Sequence, residues 1–153
     1  MHTLHVAPAK TEVNHEGLLP QLFGDQFGWP ELVEQVAQVY NSLPAAERAK
    51  AAILTGNYGE AGAVNLFGPK YGLPSAISGH QTYYLWGPDG YTGEVIIVLQ
   101  HSRKDVEKGC ASVEEAAFHY HPWGMAEENR PIYVCRGLKV PLAELWPKLK
   151  HWR

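Results

Sequence analysis

The sequence predicts an α/β fold, a single compact layered domain with a small, mostly parallel sheet flanked by helices. Residues 30–43 have the apolar spacing of an amphipathic helix. Residues 51–67 read as a strand, a glycine-rich turn and a helix, the first half of a βαβ unit. Residues 95–99 form a continuous apolar run, which is typical of a parallel strand covered on both faces.

The length and composition of the chain fit this fold class. We expect residues 1–10 to be a disordered leader or a cut site, and residues 11–153 to form one α/β domain. Hydrophobic residues make up 45% of the chain and charged residues 19%, which argues against disorder. The net charge of −3 offers no basic field for nucleic acid. No apolar run reaches the length of a membrane span, so we expect a soluble chain.

The first helix and strand are predicted from apolar spacing. Pro30 suits a first helical position, and the apolar residues that follow it lie on one helical face. These residues are Leu32, Val33, Val36, Val39, Tyr40 and Leu43. Residues 51–55 predict a buried strand that ends at Gly56, and helical spacing resumes at Ala63. We therefore interpret residues 56–62 as a glycine-rich turn.

The rest of the chain predicts further short elements. Residues 73–77 and 132–135 suit short strands, and residues 94–100 form the strongest strand pattern. Residues 102–109 suit a short helix ended by glycine. Residues 111–120 are ambiguous, because they start like a capped helix and end like a strand. An amphipathic helix begins at residue 141, and we expect Pro147 to interrupt it.

The turn at residues 56–62 is the first candidate ligand site. Unpaired backbone amides converge where a strand ends and a helix begins, and glycines let a ligand approach the backbone. The candidate contacts are Asn57, Tyr58, Gly59 and Glu60. The run is neither a dinucleotide fingerprint nor a P-loop. The alternative is a structural turn in which Glu60 complements the helix dipole.

The aromatic stretch at residues 78–87 is the second candidate. Flat rings beside amide and imidazole groups suit a carbohydrate, which offers C–H faces and hydroxyl groups. The candidate contacts are His80, Tyr83, Tyr84 and Trp86. The alternative is that these rings pack against the core or against a partner surface.

The histidines and cysteines leave further alternatives. His119 and His121 would share one side of a strand, but a metal site needs a third ligand, and we predict no metal and no cofactor. No hydrolase signature is present. Cys110 and Cys135 would form a disulfide in an oxidising compartment and remain buried thiols in the cytosol.

Several segments together resemble a known family. They are QLFGDQFGW (21–29), GNYGEAG (56–62), GH with YYLWG (79–80 and 83–87), GEVIIV (93–98), YVCRG (133–137) and LWPKLK (145–150). Across residues 11–152 the chain resembles the soluble C-terminal domain of bacterial membrane glycosyltransferases related to dolichyl-phosphate-mannose–protein mannosyltransferases. The GNYGEAG segment is the most distinctive part of the resemblance.

The resemblance implies an accessory domain at the extracytoplasmic, periplasmic face of the bacterial inner membrane, as part of a longer protein. Such an enzyme moves a sugar from a polyprenyl-phosphate carrier, and its catalytic carboxylates lie in its membrane portion, so this chain alone is not expected to be catalytic. The expected partners are the transmembrane portion of the transferase and a sugar or lipid-linked sugar. Two alternatives stay open: a docking module for the membrane portion, and a free-standing histidine or metal enzyme.

Overall fold

A computed structural model describes residues 18–152, so the predicted leader at residues 1–10 lies outside the described residues. Its helices are α1 (Gln21–Gly24), α2 (Trp29–Ser42), α3 (Ala45–Arg48), α4 (Tyr58–Phe67), α5 (Arg103–Gly109) and α6 (Leu142–Leu149). Its strands are β1 (Ala51–Thr55), β2 (Ile77–Ser78), β3 (Val95–Val98), β4 (Cys110–Phe118) and β5 (Pro131–Leu138). Short 3₁₀ segments cover Gly68–Tyr71, Gln81–Trp86 and Ala126–Glu128.

The five strands form one mixed sheet in the order β2-β1-β3-β5-β4. Strands β2, β1 and β3 are parallel, whereas β5 is antiparallel to both β3 and β4. The α/β class is confirmed, but the prediction of a mostly parallel sheet is wrong. The difference comes from β5, which runs opposite to β3 and pairs on its other side with β4, an edge strand with most of its side chains exposed. The polar sequence of β4 therefore resembles a capped helix start, and the sequence left this segment undecided.

Helices cover both faces of the sheet. Alternate residues of β1 and β3 point to opposite sides, so each face has its own apolar core. One core joins α2 and α4 to the sheet through Leu32, Val33, Val36, Ala61, Val64, Ile53 and Ile97. The other joins α5 and α6 to the sheet through Val106, Leu142, Trp146, Ala52, Leu54, Ile96 and Val98. All four residues of β3 are buried, as the continuous apolar run predicts.

Two helix boundaries differ from the sequence prediction. Helix α4 begins at Tyr58, so residues 58–62 of the predicted glycine-rich turn belong to the start of this helix. Asn57 caps the helix, which explains the early start. Helix α6 runs through Pro147 to Leu149. Pro147 leaves the Ala143 carbonyl without its intrahelical donor, and the helix ends two residues after the proline.

A disulfide joins Cys110, the first residue of β4, to Cys135 in β5. Both residues are buried in the core on the α5 and α6 side of the sheet. Across residues 18–152, none of the helices combines the length and the apolar composition needed to cross a bilayer.

Candidate functional site

Three parallel strands end at the same edge of the sheet, and polar residues follow each of them. Asn57 follows β1, His80 follows β2 and Gln100 follows β3. Asn57 Nδ2 donates to Gln100 Oε1 at 2.9 Å, and the backbone N–H of Tyr58 donates to His80 Nδ1 at 3.2 Å. The structure therefore brings the first candidate segment and His80 together at this edge.

A reciprocal capping box fixes the start of α4. The backbone N–H of Glu60 donates to Asn57 Oδ1 at 2.8 Å. In return, Glu60 Oε2 accepts from the backbone N–H groups of Gly56 at 2.9 Å and Asn57 at 3.4 Å. The Glu60 side chain is only 2% exposed, so it offers no surface to a ligand. Its part in the site is to hold Asn57 and the strand-to-helix turn in place.

Glu128 places a second carboxyl group beside Glu60. Its Oε1 accepts from Asn57 Nδ2 at 2.9 Å, whereas no N–H or hydroxyl group of residues 18–152 reaches its Oε2. Burial, the charge of Glu128 and a hydrogen bond to Glu128 raise the pKa of Glu60 well above its usual 4.5. Burial also raises the pKa of Glu128. Two ionised carboxylates can only accept hydrogen bonds, so the hydrogen bond between Glu60 and Glu128 requires that one of them carries a proton. We place this proton on Glu60.

The C-terminal segment completes this edge of the sheet. The backbone of His151 bridges that of His80 in parallel, and the two imidazole rings stack with centroids 4.7 Å apart. The ring nitrogens of His151 lie 2.8 Å from the Leu149 carbonyl oxygen and 2.9 Å from the Gly56 carbonyl oxygen. These two contacts tie the His151 ring to the C-terminal end of α6 and to the turn after β1.

A cleft of about 210 Å³ opens at the ends of these strands. Its polar and glycine lining consists of Thr55, Gly79, His101, Lys148, Lys150 and His151. Gln81 and Gln100, which follow β2 and β3, have φ angles of 49° and 53°. Such left-handed conformations are costly for residues other than glycine, and they cluster at functional sites. We call the cleft at the ends of these strands the strand-end cleft.

The predicted aromatic contacts lie elsewhere. Trp86 is 69% exposed and packs edge-on against Tyr83, and both line a second cleft of about 230 Å³ beside β2. Tyr84 instead stacks on Trp146, whose indole N–H donates to the Tyr84 carbonyl oxygen at 3.0 Å. Of the predicted contacts, Tyr83 and Trp86 therefore line this second cleft, whereas none of them lines the strand-end cleft. Asn57, Tyr58 and His80 lie beside the strand-end cleft, at the ends of the strands.

The histidine pair considered for a metal lies after β4. His119 is 2% exposed, and its Nδ1 lies 3.1 Å from Gln35 Oε1, while the His121 ring stacks on Phe27. No group of three or more His, Cys, Asp or Glu residues in the described part of the chain is arranged to hold a metal ion.

Sequence reasoning missed several residues of the strand-end cleft. Gln100 and His101 directly follow the strongest predicted strand, so the rule that ligands bind at carboxyl strand ends applied to them as it did to Asn57. Lys148, Lys150 and His151 reach the cleft only because the C-terminal segment folds back on β2, and no local pattern signals that contact.

Comparison of the chain with models of protein families, with curated proteins and with solved structures finds no match.

Proposed function

We propose that this chain is the accessory extracytoplasmic domain of a bacterial membrane glycosyltransferase that uses a polyprenyl-phosphate-linked sugar, and that it binds a sugar at the strand ends beside the strand-end cleft. The observation that carries the ligand site is the convergence of Asn57, His80 and Gln100 at the ends of three parallel strands. Ligands of open α/β sheets bind at such edges. The class of enzyme rests on the sequence resemblance alone.

The groups around the cleft suit a sugar. Tyr58 is 44% exposed and its ring lies 5.2 Å from that of His80, so it offers an apolar face to a pyranose ring. The half-buried side chains of Gln100 and His101 supply amide and imidazole groups for hydroxyls. Asn57 and the buried Glu60 contribute by fixing the backbone at the start of α4.

The proposal gives the isolated chain no catalytic step. A glycosyl transfer needs a carboxylate that reaches the sugar, as glycoside hydrolysis does. Glu60 is buried, and both its carboxyl group and that of Glu128 contact neighbouring protein groups. Catalysis is therefore assigned to the membrane portion that the resemblance implies.

The disulfide supports the proposed compartment. Cystine bridges persist in oxidising environments such as the bacterial periplasm, and cytosolic proteins of mesophiles rarely keep them. The bond between Cys110 and Cys135 therefore favours the periplasmic face of the inner membrane over the cytosol.

A second candidate function is docking against the membrane portion. Leu22, Phe23, Phe27 and Trp123 are exposed apolar side chains. Their segments lie against each other, because the Phe27 ring stacks on His121. An exposed apolar cluster of this kind is typical of an interaction surface. Docking and sugar binding use different parts of the molecule, so one experiment separates them.

The experiment is a ligand-observed NMR screen of methyl glycosides, which carry no phosphate, against the chain and two variants. Gln100→Gly removes the amide and suits the left-handed backbone, and Tyr58→Ala removes the exposed ring. Trp86→Ala is the matched control in the second cleft. We expect a glycoside to bind wild type and the control, and to bind both site variants at least about tenfold more weakly. If no glycoside binds, docking becomes the better account.

A further inference from the structure

We propose that the strand-end cleft binds the phosphate group of a phosphate ester, next to the proposed sugar site. This inference rests on the proposed function only for the identity of the neighbouring sugar. The cleft brings together four basic side chains, those of His101, Lys148, Lys150 and His151. Its lining contains no carboxylate. In a chain of net charge −3, this local concentration of positive groups favours an anion.

The two lysines are available to a ligand. Both are exposed, and within residues 18–152 neither forms an ion pair with a carboxylate. Lys150 Nζ lies 5.1 Å from the centre of the Tyr84 ring and 5.5 Å from that of Trp152, which holds its ammonium group over aromatic faces. Ammonium groups bind phosphate as point charges with strong hydrogen bonds.

His101 adds a donor of fixed direction. Its Nδ1 lies 2.7 Å from the Leu99 carbonyl oxygen, which leaves Nε2 for a ligand. Both ring nitrogens of His151 contact carbonyl oxygens, so this ring forms part of the cleft wall. Two acidic groups outside the lining have partners of their own: Asp105 hydrogen-bonds with Ser102 and Lys108, and Glu60 accepts from the backbone N–H of Gly56.

The size of the cleft fits a small group. Its volume of about 210 Å³ is below the roughly 300–1,000 Å³ of pockets that enclose a drug-sized ligand, so it suits a phosphate with the first atoms of its ester. The cleft wall is also tightly built. A Cβ atom at Gly79 would overlap the Leu149 carbonyl oxygen, so the end of β2 and the lysine-bearing segment are in direct contact.

The test is a calorimetric titration of the full chain with inorganic phosphate, with mannose 1-phosphate, and with phosphatidylcholine vesicles containing phosphatidic acid or none. The site variant is Lys148→Gln with Lys150→Gln. The matched control is Lys50→Gln with Lys70→Gln, which removes the same charge outside the cleft. Amide NMR spectra verify that both variants are folded.

We expect phosphate to bind wild type and the control, and to bind the site variant at least about tenfold more weakly, with an affinity that falls as salt is added. Tighter binding of mannose 1-phosphate than of phosphate identifies a sugar phosphate as the source. Binding only to vesicles with phosphatidic acid identifies a lipid headgroup.

The inference is overturned if no phosphate probe binds, or if the site variant binds as the control does. Glycoside binding without phosphate binding would refute this inference alone, and the reverse would refute the sugar site alone.

Discussion

Glu60 and Glu128 bring their carboxyl groups together inside the domain, and Asn57 contacts both of them. Asn57 Oδ1 accepts from the Glu60 backbone, and Asn57 Nδ2 donates to the Glu128 carboxyl group. This relationship ties the start of α4 to the loop before β5. It also makes the stability of the strand-end cleft depend on a proton.

The first prediction is that the contribution of the Glu60–Glu128 pair to stability decreases with rising pH. The folded-state pKa of Glu60 is raised, so the folded state keeps a proton that the unfolded state loses above about pH 4.5. The stability of the pair is fully present below that pH, and its loss approaches about 1.4 kcal/mol per pH unit for one proton. Urea unfolding between pH 5 and pH 8 measures this slope.

The variant Glu60→Gln mimics the protonated side chain and removes that dependence. It keeps an acceptor for Gly56 N–H and gains a donor toward Glu128. We expect it to be more stable than wild type at pH 8 and to have a flatter slope, whereas the exposed Glu34→Gln control keeps the wild-type slope. An unchanged slope in Glu60→Gln would show that the two carboxyl groups do not share a proton.

The second prediction concerns acid destabilisation through His119. Burial and then the charge of His121 lower the pKa of His119 below its usual 6.5. The unfolded chain therefore takes up a proton that the folded state resists, so this stability is present above pH 6.5 and falls as the pH drops further. We expect the stability of His119→Gln to rise relative to that of wild type between pH 7 and pH 5.5 in urea unfolding. A difference that stays constant over this range would contradict the assignment.

The third prediction is that the disulfide stabilises the fold. The bridge joins residues 25 positions apart, for which the chain-entropy relation gives about 3.5 kcal/mol. Urea unfolding with and without a reductant measures this loss, and Cys110→Ser with Cys135→Ser should match the reduced protein. Two titratable thiols in protein purified without reductant, or equal stability after reduction, would contradict it.

The fourth prediction compares the effect of an alanine substitution at two glycines. Gly79→Ala forces a Cβ atom against the Leu149 carbonyl oxygen, so we expect a loss of about 1–3 kcal/mol and a displaced C-terminal segment. Gly109→Ala meets no atom within 4 Å and should be neutral or stabilising by about 0.4–1 kcal/mol. Thermal unfolding and the NMR signals of the His151 ring measure both effects. Equal stability of the two variants would mean that β2 and Leu149 are not in close contact.

Local sequence patterns predicted the elements that bury either one regular face or both faces. The helix Trp29–Ser42 has one apolar face, and the strand Val95–Val98 is apolar on both faces. The sheet was less predictable, because the edge strand Cys110–Phe118 is mostly exposed and has no alternating apolar pattern. Its antiparallel pairing with β5 depends on contacts between distant parts of the chain.

The candidate site, like the sheet, was only partly predictable from the sequence. Asn57, Glu60 and His80 follow recognisable strand ends, and the structure places them together. The buried position of Glu60 was not foreseen, because it depends on Glu128, which lies in a short 3₁₀ segment that no sequence pattern predicted. The C-terminal basic residues join the cleft through long-range packing.

The most direct test of the strand-end cleft as the ligand site is a titration of ¹⁵N-labelled protein with mannose 1-phosphate, followed by backbone amide NMR. We predict that the shifted signals belong to residues 56–60, 79–81, 100–101 and 148–151. Shifts confined to the second cleft around Asn65, Tyr83 and Trp86, or no shifts at all, would contradict the account.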